Sequence, residues 1–204
     1  MGQGSSSSIQ GFSVESLVSQ IQNGRYKNIV ILCGAGISTN AGIPDFRSPS
    51  FGLYFKLRKF DLPYPEAVFE GKYFNKDPNP FYGLIPCGGV VRPDVVLFGE
   101  TMPSRFCNLA HNDLKNADLL LVFGTSLAVA PYNGLITLTK SQIPRVYVSK
   151  TKPGQSTSTL GSFLGLNSSI KFDKPNDLVL IEDCDQVVRN LCSKLNWTQE
   201  LNKL

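Results

Sequence analysis

The chain is poor in the residues that carry most metal and acid–base chemistry. Its 204 residues hold one histidine, His111, and five cysteines, Cys33, Cys87, Cys107, Cys184 and Cys192. No two cysteines form a C-x-x-C pair, which excludes a paired-cysteine zinc ribbon and a thioredoxin-type redox motif. The odd count, with no secretory leader, argues against a disulfide framework and for a reducing intracellular compartment. No apolar run approaches the length of a membrane span. Charge of either sign is modest: 20 basic against 16 acidic residues leave +4, too little to point to nucleic acid. The cluster Lys56-Leu57-Arg58-Lys59 reads as a solvated face. With 42% hydrophobic and 18% charged residues the composition is globular, enough for one domain or a large domain with a small appendage.

Glycine and small residues are plentiful where they matter. Residues 34 to 47 read G-A-G-I-S-T-N-A-G-I-P-D-F-R, directly after Ile29-Val30-Ile31-Leu32-Cys33. The apolar run is β-branched enough to be a buried strand of a parallel sheet, with Cys33 as a small core residue. A strand that ends in Gly-Ala-Gly and opens a small-residue helix brings backbone N–H groups and the positive end of a dipole to a phosphate. Packing gives no reason to expect Asp45-Phe46-Arg47 in succession, whereas a polar ligand pocket does. Two common phosphate loops are excluded. The G-x-G-x-x-G fingerprint needs glycine at 39, where Thr39 stands, and an acid about 20 residues on, absent from Gly52 to Arg58. The triphosphatase loop needs Gly-Lys-Ser/Thr, and no lysine lies between Lys27 and Lys56.

The periodicity predicts a helix over Val14 to Asn23, from Val14, Leu17, Val18 and Ile21, stopped by Gly24. Further helices are expected at Glu66 to Tyr73, Phe106 to Ala117, Tyr132 to Lys140 and Asp185 to Leu195. Strand candidates are Val95 to Phe98, Leu119 to Phe123, Val146 to Val148 and Ile170 to Phe172. Alternating strands and helices imply a doubly wound, Rossmann-like parallel α/β sheet. Leu119 to Phe123 runs into Gly124-Thr125-Ser126, so the strand ends at Gly34 and Gly124 are expected to face one crevice. Residues 1–12 read as a flexible Gly/Ser-rich leader and 13–204 as the folded domain. Met1-Gly2-Gln3-Gly4-Ser5-Ser6 also fits the pattern for N-myristoylation at Gly2, which alone gives only reversible membrane contact.

Taken together the chain resembles the sirtuins, NAD-dependent protein-lysine deacylases, and most of all their cytoplasmic, tubulin-deacetylating type. The similar stretches are 34–49, L-P-Y-P-E-A-V-F-E at 62–70, V-R-P-D-V-V-L-F-G-E at 91–100 and L-L-L-V-F-G-T-S-L-A-V-A-P at 119–131, with weaker echoes at 152–155 and 182–186. The resemblance implies NAD as cofactor and an acetylated protein or peptide as partner, in the cytoplasm or the nucleus. It implies that Gly34, Ala35, Gly36 and Ser38 hold the pyrophosphate, with Ala41 on the pocket wall. Asp45, Phe46 and Arg47 border the nicotinamide side. Gly124, Thr125 and Ser126 meet the adenosine half, and Cys184 lies near the adenine. Val96, Leu97, Phe98, Gly99 and Glu100, with Val129, Ala130 and Pro131, clamp an extended peptide as an added strand.

Departures from the family pattern are as informative. After Pro80-Phe81-Tyr82 the family continues through T-Q-N-I-D, a catalytic histidine in an H-G pair and a zinc ribbon. Here Tyr82 is followed by Gly83-Leu84-Ile85-Pro86-Cys87-Gly88-Gly89, like the tail of that ribbon, as an internal deletion at about 82–84 would leave it. The small zinc-ribbon and helical domain is then largely missing, Cys87 is a lone zinc-ligand remnant, and no zinc is expected. His111 falls in a helical stretch and is expected at the surface. Ser149 and Thr151 stand where the family has asparagine and glutamate at the adenosine ribose. The expected protein is a sirtuin-family deacetylase that is catalytically defective and binds NAD weakly. The alternatives are a non-catalytic NAD or ADP-ribose module and an unstable truncated splice product.

Overall fold

A computed structural model describes residues 11–46, 48, 50–84, 96–154 and 170–204 of the chain. Four parallel strands form one sheet in the order β1 (Ile29–Cys33), β2 (Leu119–Phe123), β3 (Arg145–Val148) and β4 (Asp177–Leu180). Side chains alternate along a strand, and both faces of this sheet are covered, as a doubly wound α/β fold requires. On one face Leu119, Phe123, Val146 and Val148 pack against α1 (Val14–Gln22) and α6 (Cys184–Lys194). On the other Leu120, Val122 and Tyr147 pack with Leu114 of α5 (Ser104–Asn116) and Ile136 of the 3₁₀ segment Tyr132–Leu138.

Local chemistry explains the helix starts. Ser13 caps α1 by accepting from the Ser16 N–H at 3.2 Å, and Asp183 caps α6 by accepting from Asp185 and Gln186 at 3.0 and 3.2 Å; each satisfies N–H groups the helix leaves open. A separate aromatic cluster forms below the β1 loop. Phe69, Phe74, Phe81 and Tyr82 meet there edge-on or tilted, at centroid separations of 5.2–6.2 Å.

Several expected elements differ. The helix expected over Glu66 to Tyr73 is two pieces, a 3₁₀ segment Pro65–Phe69 and α3 (Gly71–Lys76), the shorter α2 (Leu53–Lys56) preceding them. Val96 to Phe98 is not a sheet strand; Phe98 makes a single parallel bridge with Glu70. Residues 170–172 are not a strand either. The fourth strand starts at Asp177, because Arg145 on β3 lies opposite it in register and binds its carboxylate. Phe172 instead lies over the Arg145 guanidinium at 4.7 Å. Cys33 is exposed rather than a core residue, since β1 is an edge strand among the described residues.

Candidate functional site

The ends of β1, β2 and β3 converge on a cavity of about 320 Å³. The segment after β1 is not the opening of an α-helix. It makes two short 3₁₀ turns, Ala35–Ile37 and Thr39–Ala41, so the expected long-helix dipole is absent there. Its N–H groups are largely spent inside the protein: Gly36 donates to Gly124 O at 2.8 Å, Ile37 to Gly34 O at 3.3 Å and Ser38 to Ala35 O at 3.3 Å. A Cβ on Gly34 would sit 2.5 Å from Thr125 Cβ, and one on Gly36 would sit 2.7 Å from Gly124 O. Both glycines therefore let two loops touch, a purpose besides ligand approach.

Packing also accounts for two of the three side chains at Asp45-Phe46-Arg47. Asp45 accepts from the Ser48 N–H at 3.0 Å and the Ser48 hydroxyl at 2.8 Å, closing its own turn. Phe46 meets Phe69 edge-on at 5.6 Å and Tyr54 at 6.1 Å. Arg47, Cys87 and Gly2 lie outside the described residues.

Beyond β2, Tyr147 fixes the far wall. Its hydroxyl lies 2.7 Å from Thr125 O and 2.9 Å from Thr151 O, tying the loops after β2 and β3 together. Burial pushes its phenol above the ordinary value. Ser149, nearly buried, has its hydroxyl 3.4 Å from that of Thr151. Cys184 opens α6 at the cavity wall, and burial raises its thiol, so it is a poor thiolate.

Of the residues expected to hold a cofactor, Ala35, Gly36, Asp45, Phe46, Gly124, Thr125, Ser126, Ser149 and Cys184 line this one cavity. Gly34 lines the neighbouring cavity instead. Ser38 and Ala41 line neither; the Ser38 hydroxyl is turned back on Ala35 O at 3.0 Å. Sequence reasoning missed Thr39, Ser48, Phe51 and Lys150. Lys150 was legible, since the residues just past a strand's carboxyl end are where open α/β sheets bind ligands.

The neighbouring cavity, about 570 Å³, is apolar and shares Phe46 with the first. Val96, Leu97, Phe98 and Val129 meet in it; Gly99, Glu100, Ala130 and Pro131 do not line it. The first segment is not an open edge. Phe98 donates to Phe69 O at 2.7 Å and accepts from Gly71 at 3.1 Å. Leu97 donates to Glu100 Oε2 at 2.8 Å and accepts from Glu100 N at 3.0 Å. Tyr132, on the opposite wall, donates to Cys33 O at 2.8 Å, and burial pushes its phenol up to about 12.

His111 is exposed on α5 and lines neither cavity. No group of three or more His, Cys, Asp or Glu side chains among the described residues could hold a metal. No described helix is long and apolar enough to cross a membrane.

Comparison with known proteins agrees with this geometry. A model of the Sir2 family matches residues 34–86 and 84–131, in two pieces that meet after α4 (Asn79–Tyr82). The chain is similar to the NAD-dependent protein deacetylase sirtuin-2 of Danio rerio, 30% identical over 282 positions that cover 94% of this chain and 74% of the relative. It is 32% identical to the NAD-dependent deacetylase sir2A of Dictyostelium discoideum, over 94% of this chain and 53% of that one. With the NAD-dependent protein deacetylase hst2 of Schizosaccharomyces pombe it shares 29% identity, over 94% and 79% respectively. Each alignment spans more positions than the 204 residues here, so each relative has residues inside the matched region without a counterpart in this chain. The parallel sheet, the cavity at its strand ends and these matches lead to one conclusion: the chain belongs to the Sir2 family.

Proposed function

We propose that the polar cavity binds NAD or ADP-ribose and that this chain does not deacetylate protein lysines. The observation that carries the reading is the lining itself. Three successive strand ends present small residues and hydroxyls, from Gly36, Thr125, Ser126 and Ser149, to one space, and no described histidine faces it.

The residues fit the adenosine and pyrophosphate portion of the cofactor. In this reading Thr125 and Ser126 would meet phosphate or ribose oxygens; Thr125 Oγ1 accepts from the Leu127 N–H at 3.1 Å and so keeps its proton to donate. Ser149 and Thr151 offer hydroxyls at the β3 end, with Cys184 beside the base. Phe46 lines both cavities, so the nicotinamide half would lie against it, beside Asp45. NAD bound there would supply an activated bond between nicotinamide and ribose. No unengaged base meets that ribose in the described lining: Ser48 occupies both carboxylate oxygens of Asp45, burial keeps Cys184 a thiol, and Tyr132 of the neighbouring cavity is held protonated up to about 12. Because Gly36 N–H is already engaged, binding is weak, with a dissociation constant above ~1 mM.

The relatives act on acetylated proteins by name. Such a peptide would find Leu97 and Phe98 already paired, which removes two main-chain rungs for an added strand. The two-piece family match and the long alignments support an internal block missing near residues 82–84. A second reading, an unstable truncated product, draws on Ile29 and Ile31 of β1, 44% and 56% exposed.

The test is an acetyl-lysine peptide assay on the purified chain, with its length checked by intact mass. General-base catalysis contributes typically ~10²–10⁴-fold, so turnover at the level of the blank is expected. NAD-dependent release of nicotinamide together with deacetylated peptide sinks the proposal. Metal analysis after dialysis is expected to find no stoichiometric zinc.

A further inference from the structure

Charge is distributed unevenly along the polar cavity. Asp45 is the one acidic side chain in its described lining, and Ser48 occupies both of its carboxylate oxygens. At the opposite end, where β3 runs out, the lining is Ser149, Lys150 and Thr151, two hydroxyls flanking an ammonium. The hydroxyls are 3.4 Å apart, close enough for both to donate to one phosphate group. No acidic residue occurs from Val148 to Lys152.

Two acids stand nearby, and neither lines the cavity. Asp183 accepts from Asn40 at 3.1 and 3.2 Å and caps α6; Asp185 accepts from the same amide at 2.9 Å. Lys150 Nζ lies 2.9 Å from Asp183 Oδ2, with the two side chains 63% and 25% exposed. An ion pair so open to water holds weakly. The ammonium is free to swing to an incoming anion, since Asp183 keeps Asn40 and the helix N–H groups as partners. In nucleotide-binding α/β sheets an acid past a strand end holds a ribose 2′-hydroxyl, and a base there accommodates a 2′-phosphate.

We propose that the β3 end of the cavity takes a phosphorylated ribose, so that the chain prefers nucleotides of the NADP class, with a 2′-phosphate on the adenosine ribose, and that Lys150 decides this preference. The inference rests on the nucleotide reading above and adds a specificity to it.

Calorimetry on the full chain at low salt, with ADP-ribose and 2′-phospho-ADP-ribose as probes, tests it. The 2′-phosphorylated ligand is expected to bind about tenfold tighter, the worth of one charge-assisted contact, and the margin is expected to shrink as salt screens it. Lys150→Ala and Lys150→Gln, at an exposed position, are expected to bring the two affinities together, and Thr151→Glu to reverse their order. Equal or tighter binding of ADP-ribose by the unmodified chain overturns this inference while leaving the nucleotide reading intact. A preference that survives both Lys150 variants overturns the role of Lys150. Binding of neither ligand at concentrations well above ~1 mM overturns the nucleotide reading, and this inference with it.

Discussion

The amide of Gly36 donates to the carbonyl of Gly124 at 2.8 Å, joining the loop after β1 to the loop after β2. The contact is reciprocal in its demands. A Cβ on Gly36 would lie 2.8 Å from Gly124 Cα, and one on Gly124, whose φ is +61°, would lie 2.5 Å from Ile37 N. Each glycine is required by the other's backbone, and the cavity floor is the seam between them.

Gly124→Ala is accordingly expected to destabilise the fold by about 1–3 kcal/mol, the range for a strained left-handed residue. The close contact with Ile37 puts it towards the upper end. Urea unfolding followed by circular dichroism checks this. An unchanged midpoint would mean that the two loops separate without cost.

The Arg145–Asp177 pair supports the sheet at the opposite edge. Their side chains are 8% and 2% exposed, and Arg145 also donates to Lys171 O at 3.1 Å. Breaking a buried pair by removing one partner typically costs about 3–5 kcal/mol, because the remaining charge is stranded. Asp177→Ala is expected to fall in that range and to loosen β4, read as a lower urea midpoint and faster amide exchange at Leu178 and Leu180. A loss below about 1 kcal/mol would show that Arg145 reaches water when its partner is gone.

Much of this was legible in the chain. Leu119 to Phe123 is apolar throughout, and β2 is covered on both faces; α1 and α6 carry apolar residues at helical spacing and become the two helices of one face. The strand at Asp177 was not legible, because its place is set by a cross-strand ion pair and not by its own pattern. The glycine loop was legible as a special turn at a strand end, where Ala35 and Gly36 line the polar cavity, but ambiguous in purpose, since close loop packing and phosphate approach call for the same residue. The apolar cavity depends on Phe46, Tyr54 and Phe69 meeting across different segments, which local periodicity does not encode.

Tyr132 makes the upper pH limit testable. Its folded value is raised to about 12 from the usual ~10. A group raised on folding contributes stability that is fully present below its unfolded value and is lost as pH rises through the folded one. The melting temperature is therefore expected to fall from pH 10 towards pH 12 as the donor to Cys33 O is lost. Tyr147 is raised in the same direction, so the informative quantity is a difference. Tyr132→Phe is expected to be less stable at pH 8 and less sensitive to alkali than the unmodified chain. Parallel pH profiles would remove Tyr132 from this role.

The free side of β1 decides how the chain behaves in solution. Asn28 O accepts from Asp118 N at 3.0 Å and Gly34 N donates to Phe123 O at 2.9 Å, so the even-numbered residues turn their main chain towards β2. In a parallel ladder the pattern alternates, which aims the N–H and C=O of Ile29 and Ile31 outward, where no described strand meets them. Their side chains are also exposed, whereas Leu32 is buried. No charge interrupts Ile29 to Cys33, although natural edge strands are commonly blunted by one. The purified chain is therefore expected to associate or to bind hydrophobic dyes. Ile31→Lys should suppress this while changing stability by no more than about 0.5 kcal/mol, as for other surface positions. Light scattering and dye fluorescence before and after the substitution are the measurements. A monodisperse monomer with one sharp thermal transition, indifferent to Ile31→Lys, would show that the edge is already covered and would favour the compact binding module over the unstable product.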